Sequence, residues 1–145
     1  MEHKTLPQEW NERLTLVVDF QSSDHWIMKD RGPVKAKTKD ITHALLTKFF
    51  DDEAAATKFA SLIGNNEKAT ITRPGIYPLH RGGIQFEWRE NNIDFSIEIP
   101  NNGDIEISAF GENVDWDAMI GPYDDPEDIA DKTFKQYKLM RDNIH

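Results

Sequence analysis

The sequence predicts an α+β domain, an antiparallel meander of three to four strands packed on one face by helices from both ends of the chain. Three observations predict it. Residues 84–108 alternate apolar and polar side chains with period two. Segments on either side recur with helical spacing, Leu6, Trp10, Leu14 and Val17 before the meander and Ile129, Phe134, Tyr137 and Met140 after it. The chain has 145 residues with 38% apolar and 30% charged residues, the composition of one globular domain with a core of its own. The expected layout is a single domain over 1–145: a helical part at 6–64, the meander at 69–110, an acidic loop at 111–125 and a helix at 126–143.

At the N-terminus Pro7 suits a first helical turn. Leu14, Leu16, Val18 and Phe20 also alternate, so a strand competes over 14–20; the wider four-four-three spacing favours a helix. Gln21-Ser-Ser-Asp and Gly32-Pro33 then read as loop. Thr38 or Asp40 can cap a second helical region with Ile41, Ala44, Leu45 and Phe49 on its apolar face. Asp51 offers a second N-cap and Gly64 a stop, so 39–63 reads as one bent helix or two.

The register of the meander follows from burial. A two-residue turn at Asn91-Asn92 pairs Trp88 with Phe95, Phe86 with Ile97 and Ile84 with Ile99, and sets Arg89 opposite Asp94 on the wet face. A two-residue second turn would set Ile99 against Glu106 and mix the faces. A three-residue loop at 101–103, with Gly103 in the left-handed position, keeps Ile97 opposite Ile107 and Glu98 opposite Glu106. The strands fall at 84–90, 93–99 and 104–110, with an earlier one at 69–73 and a loop at 74–83. At the C-terminus Asp125 caps, Pro126 fits the first helical position, and Glu127 and Asp128 favour the positive helix start.

The stretch Arg81-Gly-Gly-Ile-Gln-Phe-Glu-Trp-Arg, then Ile93-Asp-Phe-Ser-Ile-Glu-Ile and Asn102-Gly103-Asp104, resembles a widespread group of uncharacterised bacterial proteins. These share a Gly-Gly-apolar-Gln-apolar-Glu-Trp strand followed by an acidic and aliphatic hairpin. The resemblance covers about residues 26–108. It departs from the group's Trp-Asp-Gly pattern at Trp26, where Ile27 and Met28 follow, and keeps Gly32-Pro33. It implies the fold and a bacterial or phage-like origin, and no activity.

Charge narrows the function. The chain carries 17 Lys and Arg against 26 Asp and Glu, a net −9. Residues 111–131 hold eight acids and no Lys or Arg, while 29–39 carry five bases against Asp30. Such a balance favours a basic partner and argues against direct nucleic-acid binding, which needs basic surface. No cysteine is present, which removes disulfides, thiolate zinc sites and a Cys nucleophile. The five histidines show no metal-binding spacing, and Gly82-Gly83 precedes a strand rather than the helix a phosphate cradle needs. No basic and apolar leader opens the sequence and no stretch is long enough to span a membrane, so a cytoplasmic protein is expected, without cofactor.

The leading expectation is a small acidic, non-enzymatic binding module of the inhibitor, antitoxin, immunity or phage-accessory kind, able to imitate the charge of nucleic acid. Asp115, Asp117, Asp124 and Asp125 would steer it to a basic protein surface, with Trp116 and Tyr123 as aromatic anchors. Trp116 can instead cover the edge of the core. A homo-oligomer is compatible with this reading. The competing expectation is a metal-dependent enzyme using Glu87, Glu98 and Glu106, carboxylates that the register brings together on the polar sheet face.

Overall fold

The computed structural model describes residues 6–21, 33–62, 74–80, 82–90, 92–102, 104–121 and 125–144, with the backbone alone for 53–62 and 144. The order is α1 (Gln8–Gln21), α2 (Ala36–Leu62), β1 (Gly75–Pro78), β2 (Gly83–Glu90), β3 (Ile93–Pro100), β4 (Ile105–Gly111), β5 (Val114–Ile120) and α3 (Pro126–Ile144). The fold is α+β, and among the described residues its sheet is an antiparallel meander of five strands in sequence order rather than three or four.

Helix α1 buries Trp10, Leu14, Val17 and Gln21. Leu16 and Phe20, which a strand would have placed beside Leu14, are exposed, so the helical period wins. Helix α2 is continuous and starts earlier than Thr38 or Asp40. Thr38 lies inside its first turn, buried, with its hydroxyl directed to the Pro100 carbonyl at 3.4 Å. The orphan amide at its start is met from far away: the Lys35 N–H donates to Asn101 Oδ1 at 2.9 Å, and Asn101 Nδ2 returns a bond to the Pro33 carbonyl at 3.1 Å. Asp51, the other expected cap, also lies inside the helix. Gly64 and the expected strand at 69–73 fall outside the described residues.

The central hairpin has the expected register. Trp88 faces Phe95, Phe86 faces Ile97, Ile84 faces Ile99 and Arg89 faces Asp94. Asn92 takes the positive φ of 65° that the tight turn demands. Across the next pair Ile97 faces Ile107 and Glu98 faces Glu106; Gly103 lies outside the described residues.

Two segments read as loop are strands. Gly75–Pro78 pairs with β2, with Tyr77 opposite Gln85. Residues 114–120, placed in the acidic loop at 111–125, pair with β4 along their whole length. The physical reason is a hairpin at Glu112-Asn113, with Asn113 at φ 64°, followed by seven residues of period two.

Alternate residues of the strands make an inner, apolar face. Ile76, Ile84, Phe86, Phe95, Ile97, Ile99, Ile105 and Ile107 are at most 1% exposed under the three helices. Phe49 of α2 is the hub, edge-on to Phe86, Trp88 and Phe134 with centroids 5.3–6.4 Å away. At the sheet's other end Gln21 clamps Gly83: its side-chain amide donates to the Gly83 carbonyl and accepts from the Gly83 N–H at 3.2 Å. Gly83 sits at φ 124°, and a Cβ there would collide with the Ile99 carbonyl and the Pro100 Cα. The glycine pair is thus a close crossing of backbones. Among the described residues no helix is long and apolar enough to cross a membrane.

Candidate functional site

The other face of the sheet is covered by no described helix. The register arranges its side chains in rows. One row runs Tyr77, Gln85, Glu98, Glu106, Met119; the next runs Gly75, Glu87, Ser96, Ser108, Asp117; the third runs Arg89, Asp94, Phe110, Asp115. Six carboxylates therefore share this face with Arg89 alone as a base within the rows. Arg89 is paired with Asp94 at 3.4 Å, and both are well exposed, so the pair adds little stability. Gln85 ties the middle together, donating to Glu87 Oε1 at 3.2 Å and to Ser96 Oγ at 3.4 Å. At the margin the Arg13 guanidinium of α1 lies over the Tyr77 ring, 5.4 Å from its centroid.

Large apolar side chains stand in this acidic field. Phe110 is 63% exposed and Met119 57%, and Tyr77 is also exposed. Phe110 borders a shallow depression of about 540 Å³ whose walls include Tyr77, Glu87, Arg89, Asp94 and Ser108. Sequence reasoning missed Phe110 and Met119. Their signal was present: once Ile105, Ile107 and Ala109 are assigned inward, Phe110 must point outward.

The expected site residues separate. Asp115 and Asp117 are exposed on this outer face of β5. Trp116, between them, points to the inner face, is only partly exposed and packs against the core. The expectation of a loop carrying Asp115, Trp116 and Asp117 together is corrected on this point, because strand geometry sends successive side chains to opposite sides. Asp125 is committed to α3, accepting the Glu127 N–H at 3.2 Å as its cap. Tyr123 and Asp124 lie outside the described residues. Replacing Trp116 by Ala is expected to lower stability by about 1–3 kcal/mol without any partner present, less than a fully buried aromatic costs. A thermal melt checks this, and an unchanged melting temperature would return Trp116 to the interface.

Of the carboxylates considered for a metal, Glu98 and Glu106 are direct cross-strand neighbours, and Glu87 sits in the adjoining row opposite Ser96. Among the described residues no three His, Asp or Glu side chains come together as a metal site. His43 lines a second, smaller recess between α2 and the start of α3, with Asp40 and Glu127. His80 is exposed in the turn before β2, and Arg81 lies outside the described residues. The outer sheet face therefore combines six carboxylates with the exposed Phe110, Met119 and Tyr77. Compared with known proteins, the chain matches no family model, no curated protein and no solved structure.

Proposed function

We propose that the protein is a small acidic binding module that covers a basic surface of a partner protein with the outer face of its sheet, in the manner of an inhibitor, antitoxin, immunity or phage-accessory protein. One observation carries the reading: six carboxylates and the exposed Phe110 and Met119 share one face that no described helix covers. The carboxylates raise the encounter rate with a positive surface. Phe110 and Met119 supply the apolar contact that holds the complex once formed.

The test compares Glu106→Gln/Asp115→Asn/Asp117→Asn with Phe110→Ala in capture from the native host, followed by kinetics on the protein retained. The triple variant should associate more slowly, with a weaker dependence on salt and an unchanged fold. Phe110→Ala should mainly dissociate faster, at a cost of about 2 kcal/mol. A partner retained by both variants with unaltered rates would remove the outer face from the binding surface. Retention of nucleic acid instead of protein would overturn the partner class.

A further inference from the structure

The two edges of the sheet are finished in opposite ways. In an antiparallel ladder alternate residues direct both N–H and C=O to one neighbour, and the residues between direct theirs to the other side. The bond from the Leu79 N–H to the Gly83 carbonyl sets this parity for β1. Its outward positions are Ile76 and Pro78, with Pro74 in the same phase immediately before the strand. Both prolines lack an N–H, and the Ile76 carbonyl accepts Arg13 Nε at 2.8 Å. That edge is closed to a further strand.

On β5 the parity follows from the two-residue loop at Glu112-Asn113, which makes Gly111 and Val114 a hydrogen-bonded pair. Val114, Trp116, Ala118 and Ile120 turn their backbone groups to β4. Asp115, Asp117 and Met119 turn theirs outward, along a seven-residue strand with no proline. Among the described residues no strand pairs with this side. The inner row is also unfinished here. Trp116, Ala118 and Ile120 stay partly exposed, while Ile105, Ile107 and Ala109 beside them on β4 are buried.

We propose that the β5 edge takes up an extended segment of the partner in which Lys or Arg alternates with apolar residues. The bases lie beside Asp115 and Asp117 on the outer face, and the apolar residues cover Trp116 and Ile120 on the inner one. This rests on the reading of the outer face as a surface for a basic protein and adds the backbone as the means of recognition. Charge selects the occupant. A second copy of β5 running antiparallel about Trp116 or Asp117 would set carboxylate against carboxylate, whereas a basic strand complements Asp115 and Asp117 at each step.

The experiment titrates the full chain with a synthetic peptide alternating valine and lysine. Its comparisons are a peptide of the same composition with the lysines grouped, and the alternating peptide N-methylated on the backbone amides of one edge. The alternating peptide should bind at least about tenfold more tightly than either comparison. Met119→Pro, which removes an outward N–H and no charge, should reduce binding by a similar factor, and Asp117→Asn should weaken its salt dependence. The N-methylated peptide leaves the protein intact, so the result stands even where Met119→Pro does not fold. Equal binding of the alternating and grouped peptides overturns the strand addition and keeps the acidic face. Absence of binding by every basic peptide overturns both. Self-association through β5, seen by sedimentation and abolished by Met119→Pro, would replace the foreign strand by a second copy.

Discussion

Replacing Phe86 or Phe95 by alanine should each destabilise the protein by about 3–5 kcal/mol, the loss seen when a large buried side chain leaves a cavity. Phe86 and Phe95 are 0% and 1% exposed, and neither can be replaced in place by water without contacts to Phe49, Trp88 or Tyr137 being lost. Phe95 stacks on Trp88 with centroids 5.4 Å apart and planes within 8°. Removing either partner therefore forfeits a ring contact in addition to buried area. A loss of this size is a large part of what holds a typical domain folded. Chemical denaturation at neutral pH measures it directly. Losses below about 1 kcal/mol for both variants would mean that the face carrying Phe86 and Phe95 is not the core. Phe110→Ala, on the opposite face of the next strand but one from β2, should by contrast change stability little, since its ring is mostly in water.

The parts of the fold that could be read from the sequence are those whose partners lie close in the chain. Ile84, Phe86 and Trp88 meet Ile99, Ile97 and Phe95 across a tight turn, and a shift by one residue would bury Arg89 or Glu98, so only one register survives. Where the deciding contact is remote, local reading fails. Helix α2 begins at a residue with no capping side chain of its own because Asn101 supplies the acceptor from β3's end. Strand β1 was hidden by Pro74 and Pro78, which mark loops in general but cost nothing at an outward position of an edge strand or just before it. Strand β5 was hidden by its acids. Asp115 and Asp117 raised the charge density enough to suggest a loop, although Val114, Trp116, Ala118 and Ile120 alternate with them. The same error moved the candidate anchor. Read as a loop, 111–125 offered Trp116; read as a strand, it offers Met119 and, across the hairpin, Phe110. The acidic character of the site was thus legible from composition, and its apolar partners were not, because which side of a strand a residue takes depends on pairing.

The last expected result is a loss of stability at high pH that belongs to Tyr137. Its phenol is 3% exposed and its pKa is pushed up to about 12 from an ordinary 10, because burial disfavours the phenolate; the adjacent Arg141, which donates to the hydroxyl at 3.4 Å, opposes the rise only in part. The neutral form is thus favoured in the folded state. Below pH 10 both folded and unfolded chains keep the proton, and the contribution is fully present. Between about pH 10 and 12 the unfolded chain releases it while the folded one holds it, so stability falls by roughly 2–3 kcal/mol and the fall ends once both states are ionised. The difference between the wild type and Tyr137→Phe isolates the phenol. The variant lacks the ionising group and keeps the ring against Phe49 and Trp88, which lie 4.9 and 5.3 Å from it between centroids. Its advantage over the wild type should therefore grow through that window and be absent at neutral pH, where it loses the bond from Arg141. Parallel stability curves for the two proteins from pH 9 to 12 would show that the Tyr137 hydroxyl reaches water in the folded state, and that α3 does not seal this side of the aromatic cluster.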